Sequence, residues 1–240
     1  MPMYERSEST GIEVIDRWDG GVGWLAHPDE DAQRASHAIV GEDGVWIFDP
    51  LDGPGVDELV EEFGSVAGVA LLSNTHARDA TAFGKRYDVS VHMPTWMDRA
   101  PDSVDAPIER YTAPPGEWVE LGASGIRIRT VDPLTAWTEA IAYRPSDTVL
   151  RVPDMLSSVP EMTVGDERIG CYFFHRFAPP HEVFADLDPE GIVFGHGAGV
   201  FTDATTALDS ALAGARRNLP RAVVSQAPAQ IRGIIGAVRD

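Results

Sequence analysis

Four short segments of this chain carry side chains that could do chemistry together, and each sets its polar residue at the end of an apolar run. Val69–Ala80 passes from an apolar stretch into a polar loop that carries His76, Arg78 and Asp79. Thr148–Leu156 reads as a strand that ends on Asp154, Gly191–Gly199 carries His196 between two glycines, and Val45–Pro50 ends in the Asp49-Pro50 turn. Imidazole nitrogens and carboxylates delivered from strand ends and loops onto one point are what a metal site requires. The chain has seven histidines, and the other candidates have plainer readings. His37, at a strand start, reads as a packed histidine, and His92 reads as an edge-strand residue. His175 and His181 flank Arg176–Pro180, which reads first as a solvated loop; if it lies over the pocket they are reserve ligands or substrate contacts. Cys171 reads as a small buried strand residue, and Trp46 and Trp137 as core.

The elements that must position these residues follow from periodicity. Gly11–Asp16 and Gly21–Leu25 form a hairpin, and Ser36–Val40 pairs with Val45–Phe48 across Gly41–Gly44, whose composition suits a turn. A helix runs from about Pro54 to Phe63, with Val56, Leu59, Val60 and Phe63 on one face and Gly64 ending it. Val69–Leu72 is a buried strand, Asp79–Tyr87 a helix, and Val89–His92 returns to the sheet. In the second half Trp118–Leu121, Ile126–Val131, Ala140–Tyr143, Thr148–Val152, Gly170–Phe174 and Ile192–Phe194 read as strands. Two helices close the chain, Ala204–Asn218 and Ala229–Arg239, the second with Ile231, Ile234, Ile235 and Val238 on one face. The proline-rich stretch Arg99–Gly116 reads as a surface connection between two sheet halves of one domain spanning 1–240.

This order of elements, strand–Asp-Pro turn, helix, strand–His loop–helix, strand–Asp, strand–Gly-His-Gly, helix, resembles the metallo-β-lactamase superfamily from about Ser36 to Asn218. The resemblance implies an α/β fold, an αββα sandwich with a metal site at the edge where two sheets meet. The family's ligands come from an H-x-H-x-D-H loop, a later histidine, a bridging aspartate and a Gly-His-Gly histidine. His76 matches the first position of the loop, but Arg78, Ala80 and Thr81 stand at the others, with Asp79 one place early. No histidine lies between His92 and His175 to serve as the middle ligand. Asp154 resembles the bridging carboxylate, His196 the last ligand, and Asp49 the aspartate that supports the loop. The implied site is therefore reduced: one metal, zinc or else iron or manganese, on His76, Asp154 and His196. Asp79 or Asp154 would orient a water for attack on an ester, thioester, amide or phosphoester of a small-molecule substrate. Arg78 cannot ligate a metal. It would oppose a cation, bind an anionic ligand, or pair with Asp154 in a metal-free descendant that binds ligands without catalysis. Metal-bound and metal-free forms stand as equal alternatives.

Composition narrows the field further. Thirty-eight acids against 19 bases give a net charge of −19, and Lys85 is the single lysine. Such a surface repels phosphate backbones, which argues against nucleic-acid binding. The acids are dispersed, a pattern that suits a high-salt solvent in which counterions screen self-repulsion. No apolar run approaches the roughly 20 residues of a membrane helix, and the amino terminus has no export-signal pattern. One cysteine allows no intrachain disulfide, and the expected compartment is the cytoplasm. Oligomeric state is not legible.

Overall fold

The computed structural model describes residues 3–134 and 137–237, and for 133, 134 and 225–237 the backbone alone. Its first half is a seven-stranded sheet in sequential order. Strands β1 (Glu13–Trp18), β2 (Gly21–Leu25), β3 (Ala35–Val40) and β4 (Val45–Phe48) make an antiparallel meander. Helix α1 (Val56–Glu61) then crosses to β5 (Val66–Ala70), and α2 (Ala80–Tyr87) to β6 (Val91–Pro94), so β4, β5 and β6 run parallel. Strand β7 (Ile108–Tyr111) completes the sheet beside β6.

A second sheet of five strands has the order β14 (Gly191–Phe194), β11 (Val149–Val152), β10 (Trp137–Arg144), β9 (Arg127–Leu134), β8 (Trp118–Glu120). A two-stranded ribbon of β12 (Leu156–Ser157) and β13 (Gly170–Cys171) follows β11, with the short helix α3 (His181–Phe184) before β14. The long helix α4 (Ala204–Ala237) closes the chain.

Strand alternation sorts the side chains into layers. Val45 and Ile47 face α1 and α2 with Leu59, Val60 and Phe83. Trp46 and Phe48 point the other way, meeting Ile126, Ile128 and Ala140 between the sheets. Leu150, Val152, Ile192 and Phe194 face Leu208 and Leu212 of α4. The result is an αββα sandwich whose fully buried aliphatic and aromatic side chains each contribute about 1.5–3 kcal/mol.

Four sequence expectations need correction. Arg99–Gly116 is not merely a surface connection: it contains a 3-10 turn and β7, and the passage between sheets begins only after Tyr111. Its prolines hid a short strand that hydrogen-bonds at a sheet edge, where proline is tolerated. His92 is not on an edge, because β7 covers β6; it is buried against Trp46 with ring centroids 4.7 Å apart. Gly170–Phe174 is a two-residue strand followed by a 3-10 turn, Phe173–Arg176. The closing helices are one, continuous through Pro220, which removes one backbone donor without ending the run. The apolar stripe expected at Ile231, Ile234, Ile235 and Val238 lies outside the described side chains. Among the described residues no helix is long and apolar enough to cross a membrane.

Candidate functional site

The sheets meet where the ends of β3, β4, β11 and β14 come together. The Ala35 N–H donates to Gly195 O at 2.8 Å, and Gly197 N–H to Gln33 O at 2.9 Å, joining the start of β3 to the end of β14. Parallel pairing of β11 with β14 sets Val152 beside Phe194, so Asp154 and His196 leave neighbouring strand ends together. Glycine permits this approach: a Cβ on Gly195 would stand 2.3 Å from Pro153 O. Gly197 has φ +83°, a conformation that glycine adopts without steric cost.

Three side chains converge there. His76 Nε2 is 3.1 Å from Asp154 Oδ1, and His196 Nε2 is 3.2 Å from the same oxygen. One ligand atom from each lies within 4.8 Å of the others. The far nitrogen of each ring is already committed. His196 Nδ1 is 2.7 Å from Ala32 O, and because a carbonyl only accepts, Nδ1 carries the proton. His76 Nδ1 lies 3.2 Å from Asp49 Oδ2. Both rings thereby hold Nε2 toward Asp154, the nitrogen that would ligate a metal once it carries no proton. Burial raises the Asp154 carboxyl, but His76 and His196 outweigh it and hold it well below the usual carboxylate range. Burial lowers His196, against the opposing pull of Asp154.

Asp49 anchors the loop. It is fully buried with φ +46°, accepts the Leu72 N–H on Oδ1 at 3.0 Å, and has Arg151 Nη1 2.8 Å from Oδ2. Burial works to raise this carboxyl; Arg151 and then His76 overcome it and keep the group ionised. The Arg151 approach is a charge contact without hydrogen-bond alignment, and its guanidinium nitrogens make no hydrogen bond among the described residues. Glu139, also fully buried, accepts from Trp137 Nε1 at 3.1 Å and from the Met155 N–H at 3.1 Å. Burial, and next the charge of Asp154, push its carboxyl well up.

The remaining expected residues lie elsewhere. Arg78 does not pair with Asp154. Its Nη1 donates to Ala35 O at 2.8 Å and to Asp49 O at 2.9 Å, and its Nη2 to Gly195 O at 3.2 Å, clasping three strand ends. Nη2 also lies 3.4 Å from His76 Nε2. Burial lowers this guanidinium to about 10, with Asp49 opposing, so it stays charged at neutral pH. The Asp79 carboxylate accepts the Asp52 N–H at 2.8 Å, at the cavity wall rather than in the converging trio. His175 is not in a solvated loop: it sits fully buried in the 3-10 turn, and burial lowers it to about 4. His181 is exposed at the start of α3, and neither lines the cavity.

That cavity, of about 1330 Å³, opens over the trio and is bordered by residues the sequence did not nominate, Tyr4 and Tyr172 among them. Trp137 lines it too, contrary to its reading as core. Arg151 and Glu139 were also missed. A charge inside an apolar run, as in Val149–Val152, is the signal that could have found them, since buried charges require partners.

No protein-family model matches the chain, and no curated protein sequence does. Solved structures do. FIM-1 from Pseudomonas aeruginosa, described in a mono-zinc form, superposes with a TM-score of 0.61 at 11% identity, covering 89% of this chain and 98% of its own. A metallo-β-lactamase from Hirschia baltica gives 0.60 at 12% identity over 86% and 98%. One from Erythrobacter litoralis gives 0.58 at 12% over 89% and 99%.

The chain has the metallo-β-lactamase fold.

Within that fold the trio lies at the sheet-edge junction, and the loop between β5 and α2 contributes His76 to it alone. The donor set fits a cation: two imidazole nitrogens and a carboxylate oxygen, with separations of 3.1 and 3.2 Å to the shared oxygen. A tetrahedron with bonds of about 2.0–2.1 Å has edges of about 3.3 Å.

Proposed function

We propose that the chain is a metal-dependent hydrolase holding one divalent cation between His76, Asp154 and His196. The observation that carries this reading is the approach of two Nε2 atoms to one Asp154 oxygen while both Nδ1 atoms face outward acceptors. With His196 protonated on Nδ1, a neutral ring presents a lone pair to an ionised carboxylate, and a cation shared by both relieves that repulsion. Two nitrogens and one oxygen suit zinc, with iron and manganese as competitors. Such a cation supplies Lewis acidity, polarising a substrate oxygen and acidifying water.

The chain's own residues do the rest. Asp49 fixes the orientation of His76, and Ala32 O that of His196. The ionised Asp154 carboxylate is placed to accept a proton from the attacking water, a part that Asp79 cannot share while turned to Asp52. Arg78, charged and beside the trio, reduces affinity for the cation and favours a substrate whose reacting centre gathers negative charge: an ester, thioester, amide or phosphoester.

One observation favours a second reading, a metal-free binding protein. Asp49 and Asp154 already balance Arg78 and Arg151 in the site's interior. Elemental analysis of the purified chain, with His76→Ala and His196→Ala beside it, separates the two. About one equivalent of metal, lost in both variants, is expected. An absence of metal after zinc, iron and manganese are offered, with a melting temperature indifferent to chelator, would overturn the hydrolase and leave the binding protein.

A further inference from the structure

The cavity beside the trio is walled by aromatic rings that nothing in the hydrolytic scheme uses. Trp137 and Tyr172 stack with centroids 4.6 Å apart and an interplanar angle of 29°. Both are half-buried and line the cavity along with Asp154 and His196. The wall is fixed to the strand connection that carries Asp154: Trp137 Nε1 donates to Glu139, which accepts the Met155 N–H, and the Tyr172 N–H donates to Met155 O at 2.9 Å. His175 backs it edge-on, 6.2 Å from Trp137.

Another part of the lining is built from the amino-terminal segment. Ala32 N–H donates to Met3 O at 3.1 Å, Glu5 N–H to Glu30 Oε2 at 2.9 Å, and Arg34 Nη2 to Glu5 O at 2.7 Å, which lays Tyr4 across the cavity with its ring against Arg34. Burial, then the charge of Asp154, raises both phenols, Tyr4 to about 12, so both side chains are uncharged at neutral pH.

We infer that Tyr4, Trp137 and Tyr172 form a slot for an uncharged, planar aromatic group of the ligand, held next to the atoms that would act on it. This rests on the trio being the working site and adds the class of substrate. The aromatic faces carry no charge to pair with an anion, and Asp154 repels one at the inner end. A flat ring gains from offset or edge contacts with aromatic neighbours beyond the area it buries.

The test is isothermal titration of the full chain at high salt with benzamide and with cyclohexanecarboxamide, which share a polar group but not a planar ring. Benzamide should bind about three- to tenfold more tightly, with or without chelator. Tyr4→Leu and Tyr172→Leu should each abolish that preference, and Tyr172→Phe should keep it. Tyr4→Leu alters only the amino-terminal segment, so it remains decisive if Tyr172→Leu fails to fold. Equal binding of the two probes, binding of neither, or a preference that survives Tyr4→Leu would overturn the slot. A preference that persists in protein shown to take up no metal would retain the slot and remove the hydrolase.

Discussion

Replacing Asp49 by asparagine tests the polar interior directly. Asparagine tolerates the left-handed backbone at this position (φ +46°) about as well as aspartate does, so the change isolates charge. In the wild type one carboxylate serves three neighbours: the Leu72 N–H, His76 Nδ1 and Arg151. An amide keeps one acceptor oxygen and turns its NH2 group either toward His76 and Arg151 together or toward the Leu72 N–H, where a donor already stands. Arg151, fully buried, is then left without a counter-charge. Breaking a buried pair from one side costs about 3–5 kcal/mol. For a chain of this length each kcal/mol moves the melting temperature by about 2–4 °C, so Asp49→Asn should melt roughly 6–20 °C below wild type. Adding Arg151→Met should return much of the loss, because removing both charges leaves nothing unpaired. The folded pKa of Asp49 is depressed, so its contribution is fully present above the ordinary aspartate range and is lost as pH falls through the folded value. The gap between wild type and Asp49→Asn should therefore persist through mild acid and close only in strong acid. Thermal unfolding by circular dichroism across pH measures all of this. A single variant within about 1 kcal/mol of wild type, or a double variant no better than the single, would refute the assignment of Arg151 and Asp49 as an obligate pair.

Other consequences are open to simple assays. Arg78→Lys should destabilise by about 1.5–3 kcal/mol in denaturant titration, since an ammonium cannot reach the carbonyls of Ala35, Asp49 and Gly195 in the same fork. Gly23→Ala would set a Cβ 2.6 Å from His37 Nε2 and disturb its contact with Asp16, so about 1–3 kcal/mol should be lost. Cys171 is buried, and burial pushes its thiol up to about 12; a thiol reagent should label it only on unfolding. With a net charge of −19, the melting temperature should climb by several degrees as KCl rises from millimolar to molar.

The sandwich was legible where apolar residues alternate or recur on one face. Trp46 and Phe48 against Val45 and Ile47 already describe a strand covered on both sides. His76, Asp154 and His196 could be singled out because each ends such a run, and the glycines flanking His196 mark a place where backbones approach closely. What escaped were facts of long-range packing. Nothing around Ile108 announces that β7 will cover His92, and nothing around Tyr4 shows that Ala32 will draw the amino-terminal segment over the cavity. Arg78 was visible as an intruder in the histidine loop, but its three acceptors are carbonyls drawn from residues 35, 49 and 195, which no local pattern reveals.

Those three acceptors also impose an order on the birth of the molecule. His76 leaves the ribosome 120 residues before His196, and at about 5–20 residues per second the interval is roughly 6–24 s. Throughout it Arg78 lacks its third carbonyl, and for the first 75 of those residues Asp49 waits for Arg151. The nascent amino-terminal half must therefore carry an unneutralised carboxylate and an incomplete clasp until β11 and then β14 arrive. The site is complete only once both later strands have emerged, and of its three converging side chains a half-made chain carries His76 alone.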